Sequence, residues 1–184
     1  MKIIVFFSGV GTNLLSFLIK EKKLNYEIIS TFTNNPHAGG IKIAQDFDKP
    51  CKILDHTQYK SRELHDKEIQ YFLRHIDFDY IVLAGYMRIL SKFLVEEYEG
   101  RIINIHPSLL PKYPGLNTHQ KVLDADDKYH GTTIHFVTHE LDSGPIITQQ
   151  RFKIEPNDTL DSLKDKVKII ENDLYPKTIS ELLR

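Results

Sequence analysis

The chain has 184 residues, 24 of them basic and 25 acidic, for a formal net charge of -1. That length suits one domain, residues 1–184, with a core of useful size, and the balanced charge gives no electrostatic case for nucleic acid or for a polybasic membrane surface. Cys51 is the only cysteine, which excludes an internal disulfide and a thiolate metal cluster; no apolar run reaches transmembrane length and the first residues lack signal-peptide features, so a cytoplasmic protein is expected.

Lys2 to Phe7 is an apolar, β-branched and aromatic run and reads as the first strand. Ser8-Gly9-Val10-Gly11-Thr12-Asn13 follows, and Leu14, Leu15, Phe17, Leu18 and Ile19 then fit an apolar helix ending near Lys22. A strand, a glycine loop and a helix together offer backbone N–H groups and a helix dipole to a phosphate, with Thr12 and Asn13 as further donors. Gly9-x-Gly11 also begins a dinucleotide fingerprint, but Leu14 stands at its third glycine position. The second strand, Tyr26 to Thr33, ends in Asn34-Asn35 rather than in the acidic residue that grips a ribose. A nicotinamide cofactor is therefore not expected. A terminal phosphate on a smaller ligand and an ordinary glycine turn both fit the stretch.

Asn34 to Gly40 is turn-rich, Ile41 to Asp48 reads as a short helix and Pro50 to Leu54 as a short strand. Thr57 to Arg74 has the period of an amphipathic helix, with Leu64, Ile69, Phe72 and Leu73 inward and Arg62 on the solvated face. Phe78 to Ala84 is the clearest central strand, and Gly85-Tyr86-Met87-Arg88-Ile89-Leu90 carries an apolar segment off its end. Ser91 is placed to cap the helix that follows, which carries Phe93, Leu94 and Tyr98. Open α/β sheets bind ligands at the carboxyl edge. Met87, Ile89 and Leu90 there either line a slot for a flat heterocycle or cover the core.

The centre of the chain is Ile102-Ile103-Asn104-Ile105-His106-Pro107-Ser108-Leu109-Leu110-Pro111-Lys112-Tyr113-Pro114-Gly115. Its β-branched opening suits a strand buried on both faces. Asn104 and His106 then point the same way, with Cα atoms roughly 7 Å apart. Pro107 keeps His106 extended, Pro111 and Pro114 stiffen the loop and Gly115 permits a turn. An amide and an imidazole on one face before a braced loop read as a site, because polar groups left unpaired there would cost about 1–3 kcal/mol each.

Thr118 to Ala125 reads as a helix, His130 to Thr138 alternates as a half-buried strand, and Ile146 to Ile154 pairs with it as an antiparallel edge hairpin. His135 and His139 lie four positions apart on a strand, about 13 Å, too far to share one ion, and no metal is expected. Asp142 lies in the hairpin turn, where aspartates bond their own backbone; a functional role requires it to fold back against His106. Asp158 or Thr159 caps the last helix, which Pro176 is expected to break or restart before Thr178 to Arg184, and Glu171 reads as a solvent-facing carboxylate.

These motifs together resemble the phosphoribosylglycinamide formyltransferase family of folate-dependent enzymes over essentially the whole chain. The likeness rests on Ser8-Gly-x-Gly-Thr-Asn13, Leu83-Ala-Gly-Tyr-Met-Arg-Ile-Leu90, Asn104-Ile-His-Pro-Ser-Leu-Leu-Pro-Lys-Tyr-Pro-Gly115, His130-Gly-Thr-Thr and Leu141-Asp-Ser-Gly-Pro145. It implies an α/β, doubly wound, mostly parallel sheet of Rossmann-like formyltransferase type, with the antiparallel edge hairpin. It implies formyl transfer from 10-formyltetrahydrofolate to the amine of glycinamide ribonucleotide, with no metal and no nicotinamide. By that resemblance Asn104, His106 and Asp142 are catalytic. Gly11, Thr12, Asn13 and Glu171 take the ribonucleotide, and Arg62, Met87, Arg88, Ile89, Leu90 and Asn104 take the folate. Partners are then these small molecules, with no nucleic acid or membrane, in a monomer or weak homodimer. Position 12 is Thr where Ser is common in the family, which keeps the hydroxyl donor, and relatives run on past the last helix in a tail not expected to carry chemistry. A formyltetrahydrofolate hydrolase and a phosphate-ligand-binding module without catalysis are the alternatives.

Overall fold

The computed structural model describes residues 1–182, so the last two residues of the segment expected over Thr178–Arg184 lie outside the described residues. Strand order follows hydrophobicity. β1 (Lys2–Phe7), whose side chains from Ile3 to Phe7 are all fully buried, sits centrally and pairs in parallel with β2 (Glu27–Thr33) and β4 (Tyr80–Leu83). β3 (Cys51–Ile53) extends the parallel set beyond β2, and β5 (Ile102–His106) extends it beyond β4. β6 (Tyr129–Phe136) and β7 (Ile146–Lys153) then add antiparallel, giving the order β3-β2-β1-β4-β5-β6-β7 among the described residues.

Strand periodicity splits the core in two. Ile3, Val5 and Phe7 face α1 (Thr12–Lys20) and α6 (Leu160–Glu181), meeting Phe17, Tyr175 and Ile179, with Ala44 of α2 (Gly40–Asp46) in the same cluster. Ile4 and Phe6 face the opposite layer, formed by α3 (Arg62–Leu73) and α4 (Lys92–Glu97) through Ile69, Leu73, Leu94 and Val95. The sixth helix among the described residues is short: α5 (Thr118–Asp124) follows the proline loop.

Three expectations need correction. The helix expected from Thr57 begins only at Arg62. Asp55 caps a separate short turn at His56–Gln58, while the Ser61 side chain accepts from Leu64 N and starts α3 afresh. The inward face is His65, Asp66, Ile69 and Leu73, spaced by three or four residues, and Leu64 is 44% exposed. The second concerns β6, which is buried on both faces rather than one. Thr132 on one face meets α6, and Thr133 on the other is bonded to the proline loop through Ser108 O and Leu110 N.

Pro176 does not break α6. A proline lacks the N–H that would bond the carbonyl four residues earlier, here Asn172 O. Lys20 Nζ supplies a donor to that oxygen at 2.9 Å and also pairs with the Asp173 carboxylate at 2.8 Å. Buried Tyr175 and Ile179 hold the helix to the sheet on either side of the proline. At the other end Thr159 and Ser162 form a reciprocal capping box.

Candidate active site

The end of β5 opens onto a cavity of about 560 Å³. Its walls come from the loop after β4, from the segment around α5 and from the turn between β6 and β7. Asn104 and His106 face it from alternate positions of β5, as strand geometry requires.

The β6–β7 turn completes the site. Asp142 takes a positive φ of 50°, and Gly144 passes so close to Phe136 O that a Cβ would collide with that oxygen. The turn therefore folds back over the end of β5. Asp142 Oδ2 lies 3.3 Å from His106 Nδ1 and accepts from Gly115 N at 2.8 Å. On its other side His106 Nε2 donates to Tyr113 O at 2.9 Å. Both ring nitrogens thus face oxygen atoms, which fixes the orientation of the ring.

His135 stands directly opposite Asn104 in the β5–β6 ladder, at an irregularity in the pairing of β6 with β7. Such irregularities re-aim side chains. His135 Nδ1 donates to Phe136 O at 2.9 Å, which leaves Nε2 to accept from Asn104 Nδ2 at 3.3 Å. Burial holds the pKa of His135 below its ordinary value, in keeping with a neutral ring. The amide orientation of Asn104 is fixed in consequence, with one N–H committed to His135. Behind the site, His119 Nδ1 and His130 Nε2 are 2.8 Å apart; burial pushes the pKa of His130 down to about 4 and that of His119 down as well.

A second cluster lies at the N-terminus of α1. Gly11 has φ 86°, and a Cβ there would stand 2.6 Å from Gly40 Cα, so the tight loop requires glycine. No side chain caps α1. Its first N–H groups remain available to an anion, with Thr12 and Asn13 as the first two residues of the helix. Asn13 Nδ2 donates to Glu171 Oε2 at 3.5 Å. Thr132 Oγ1 lies 3.2 Å from Glu171 Oε1 and 2.9 Å from His106 O. A polar path therefore runs from the glycine loop through α6 to the backbone of His106. Burial raises the Glu171 carboxyl to about 7, against the opposing pull of the Asn13 and Thr132 hydrogen bonds.

Asn104, His106 and Asp142 line one cavity, with Asp142 against His106, and Met87, Arg88, Ile89 and Leu90 line it too. Met87 and Ile89 are 74% and 51% exposed, whereas Leu90 is buried. Gly11, Thr12, Asn13 and Glu171 assemble separately, and Glu171 is half-buried rather than on a solvent-facing side. Arg62 is exposed at the first position of α3 and is not part of the cavity wall. Sequence reasoning missed His135, Thr132 and the backbone groups of Tyr113 and Gly115. The strand at 129–136 was legible, but its partner and register were not. Among the described residues no group of His, Cys, Asp and Glu could hold a metal ion, and no helix is long and apolar enough to cross a membrane.

A mixed sheet with its site at the carboxyl edge, an Asn-His-Asp set and a phosphate-type glycine loop define a class of group-transfer proteins. A profile of the formyl transferase family matches residues 1–179, and the chain belongs to that family. It is 41% identical to the phosphoribosylglycinamide formyltransferase of Escherichia coli over 182 residues, covering 98% of this chain and 86% of that one. It is 38% identical to the trifunctional purine biosynthetic protein adenosine-3 of Gallus gallus, covering 97% of this chain and 18% of that protein. Among solved structures, the phosphoribosylglycinamide formyltransferase of Coxiella burnetii in complex with CHES superposes with a TM-score of 0.94 at 45% identity, over 98% of this chain and 85% of that one.

Proposed function

We propose that this protein is a phosphoribosylglycinamide formyltransferase, in one domain, acting in the cytoplasm on small molecules. The observation that carries the reading is the contact of Asp142 with His106 beside Asn104, at the mouth of a cavity walled by Met87, Ile89 and Leu90. The apolar wall fits the flat ring system of 10-formyltetrahydrofolate. The amine of glycinamide ribonucleotide adds to the formyl carbon and gives a tetrahedral intermediate. That intermediate collapses by breaking the bond to the folate N10, and the attacking nitrogen loses a proton while N10 gains one. Asn104 donates its remaining N–H to the developing oxyanion. His106, held between Asp142 and Tyr113 O, stabilises that oxyanion and supplies the proton to N10. Asp142 orients the ring. Gly11, Thr12 and Asn13 hold the phosphate, and Glu171 contacts the glycinamide part.

The test is a spectrophotometric assay with a 10-formyl folate analogue, with and without glycinamide ribonucleotide. Deformylation that requires the ribonucleotide is the expected result. Deformylation without it would make the protein a hydrolase, and no reaction in either case would leave a binding module.

A further inference from the structure

The cavity loop Gly85–Leu90 presents Met87 and Ile89 outward, so apolar packing does not hold those two side chains in place. Its backbone is held instead by two buried side chains that line no part of the cavity. At the start of the loop, Ser8 Oγ accepts from Met87 N at 2.8 Å and donates to Asn34 Oδ1 at 2.5 Å. Ser8 N also donates to Gly85 O at 3.1 Å. At the far end, Asp66 Oδ2 accepts from Ser91 N at 2.5 Å. Ser91 occupies the capping position of α4, yet its own hydroxyl makes no capping bond and is without a partner among the described residues. The cap bond expected of Ser91 is not made, and its own backbone N–H goes to a carboxylate reaching in from α3. Asp66 is 1% exposed, and its other oxygen lies 3.3 Å from Nδ1 of the buried His65. A buried carboxylate is expensive unless its bonds are specific. Its placement here fixes one backbone N–H at the boundary of the cavity loop.

We propose that Ser8 and Asp66 are positioning residues that pin the two ends of the cavity loop, and that Ser8, which opens the glycine loop, ties the two substrate sites together. Asp66 acts on the folate side alone. Ser8 belongs to both, because its backbone precedes Gly9 while its hydroxyl holds Met87. The inference rests on the formyl-transfer reading for its kinetic consequences and on hydrogen-bond geometry for the pinning itself.

The experiment pairs steady-state kinetics with residue-resolved amide hydrogen exchange on the full chain. Loss of one such bond is expected to change the relevant constant about tenfold. Asp66→Ala should speed exchange at Ser91 and raise KM for the formyl folate by about that factor. KM for the ribonucleotide should stay within about twofold, and kcat within about threefold. Ser8→Ala should speed exchange at Met87 and raise both KM values. Asp66→Asn keeps an oxygen acceptor and should behave as wild type. If Asp66→Ala does not fold, Ser91→Pro removes the donor instead, at a φ of -67° that proline accepts, and carries the same kinetic expectation. Unchanged exchange at Met87 and Ser91 would overturn the pinning. Equal rises in both KM values for Asp66→Ala, or a fall in kcat alone, would overturn the division of roles. Absence of turnover in the wild-type protein would remove the formyl-transfer reading, and the exchange result would still support or overturn the pinning.

Discussion

Replacing Glu171 with glutamine isolates the electrostatic consequence of burying a carboxyl between α1, α6 and β6. The group rises from an ordinary 4.5 to about 7, chiefly because burial disfavours its charged form. The folded state therefore holds the proton more tightly than the unfolded state between those two values. Stability from this group is present at acid pH, falls as pH rises through the window and levels off above it. The interval from 4.5 to about 7, at about 1.36 kcal/mol per pH unit, corresponds to about 3 kcal/mol. Glutamine cannot ionise, yet its oxygen still accepts from Asn13 and its amide suits the Thr132 hydroxyl. Glu171→Gln should match wild type near pH 4.5 and exceed it by up to about 3 kcal/mol at pH 8. Urea unfolding across that range reads the difference directly, as a shift in midpoint of about 1 M or more. Titrating groups elsewhere cancel in the comparison. Parallel curves for the two proteins at all pH values would refute the argument. On the role proposed for Glu171, turnover should also fall in the variant.

Asn104→Ala should lower kcat by about 10²–10³, the scale of one lost oxyanion donor, and His106→Ala by at least as much, with unchanged circular dichroism; near-normal turnover in either would remove its assigned role. Asp142→Asn should weaken turnover, because the carboxylate that orients His106 is lost; turnover equal to wild type would refute that role. Lys20→Met should destabilise the fold by about 1 kcal/mol in wild type but by less in a Pro176→Ala background, where residue 176 regains the N–H for Asn172 O; equal losses in both backgrounds would refute the compensation. His130, lowered to about 4 by burial, binds its proton less readily in the folded than in the unfolded state, so stability should climb as pH rises from about 4 towards 6.5; His130→Leu should flatten that acid limb in thermal melts.

The fold was legible where a single strong pattern governed a segment. The apolar runs at Lys2–Phe7, Tyr80–Leu83 and Ile102–His106 became the central strands because their side chains suit burial on both faces. The edge hairpin was legible from its turn residues. Pro176 was misread because local rules assign it a lost hydrogen bond, and only the tertiary placement of Lys20 restores a donor there. Leu64 was misread because apolar character was weighed above the 3.6-residue period, which sets it on the opposite side of the helix from Leu73 while His65 and Asp66 turn inward. In the site, the shared face of Asn104 and His106 was readable from strand alternation. Asp142 and His135 were not, since they reach that face across a fold-back and an antiparallel register that the chain's spacing does not encode. His135 looked like a residue without a role when paired with His139, and gained one only opposite Asn104.

The two borders of the sheet differ in length but share a consequence for crowding in a cell. β3 offers only three residues, too few to recruit another chain's strand. β7 is longer, but its outer run includes Gln149, Gln150, Arg151 and Lys153, side chains that an incoming apolar strand would have to desolvate. Both margins thus disfavour the addition of a further strand.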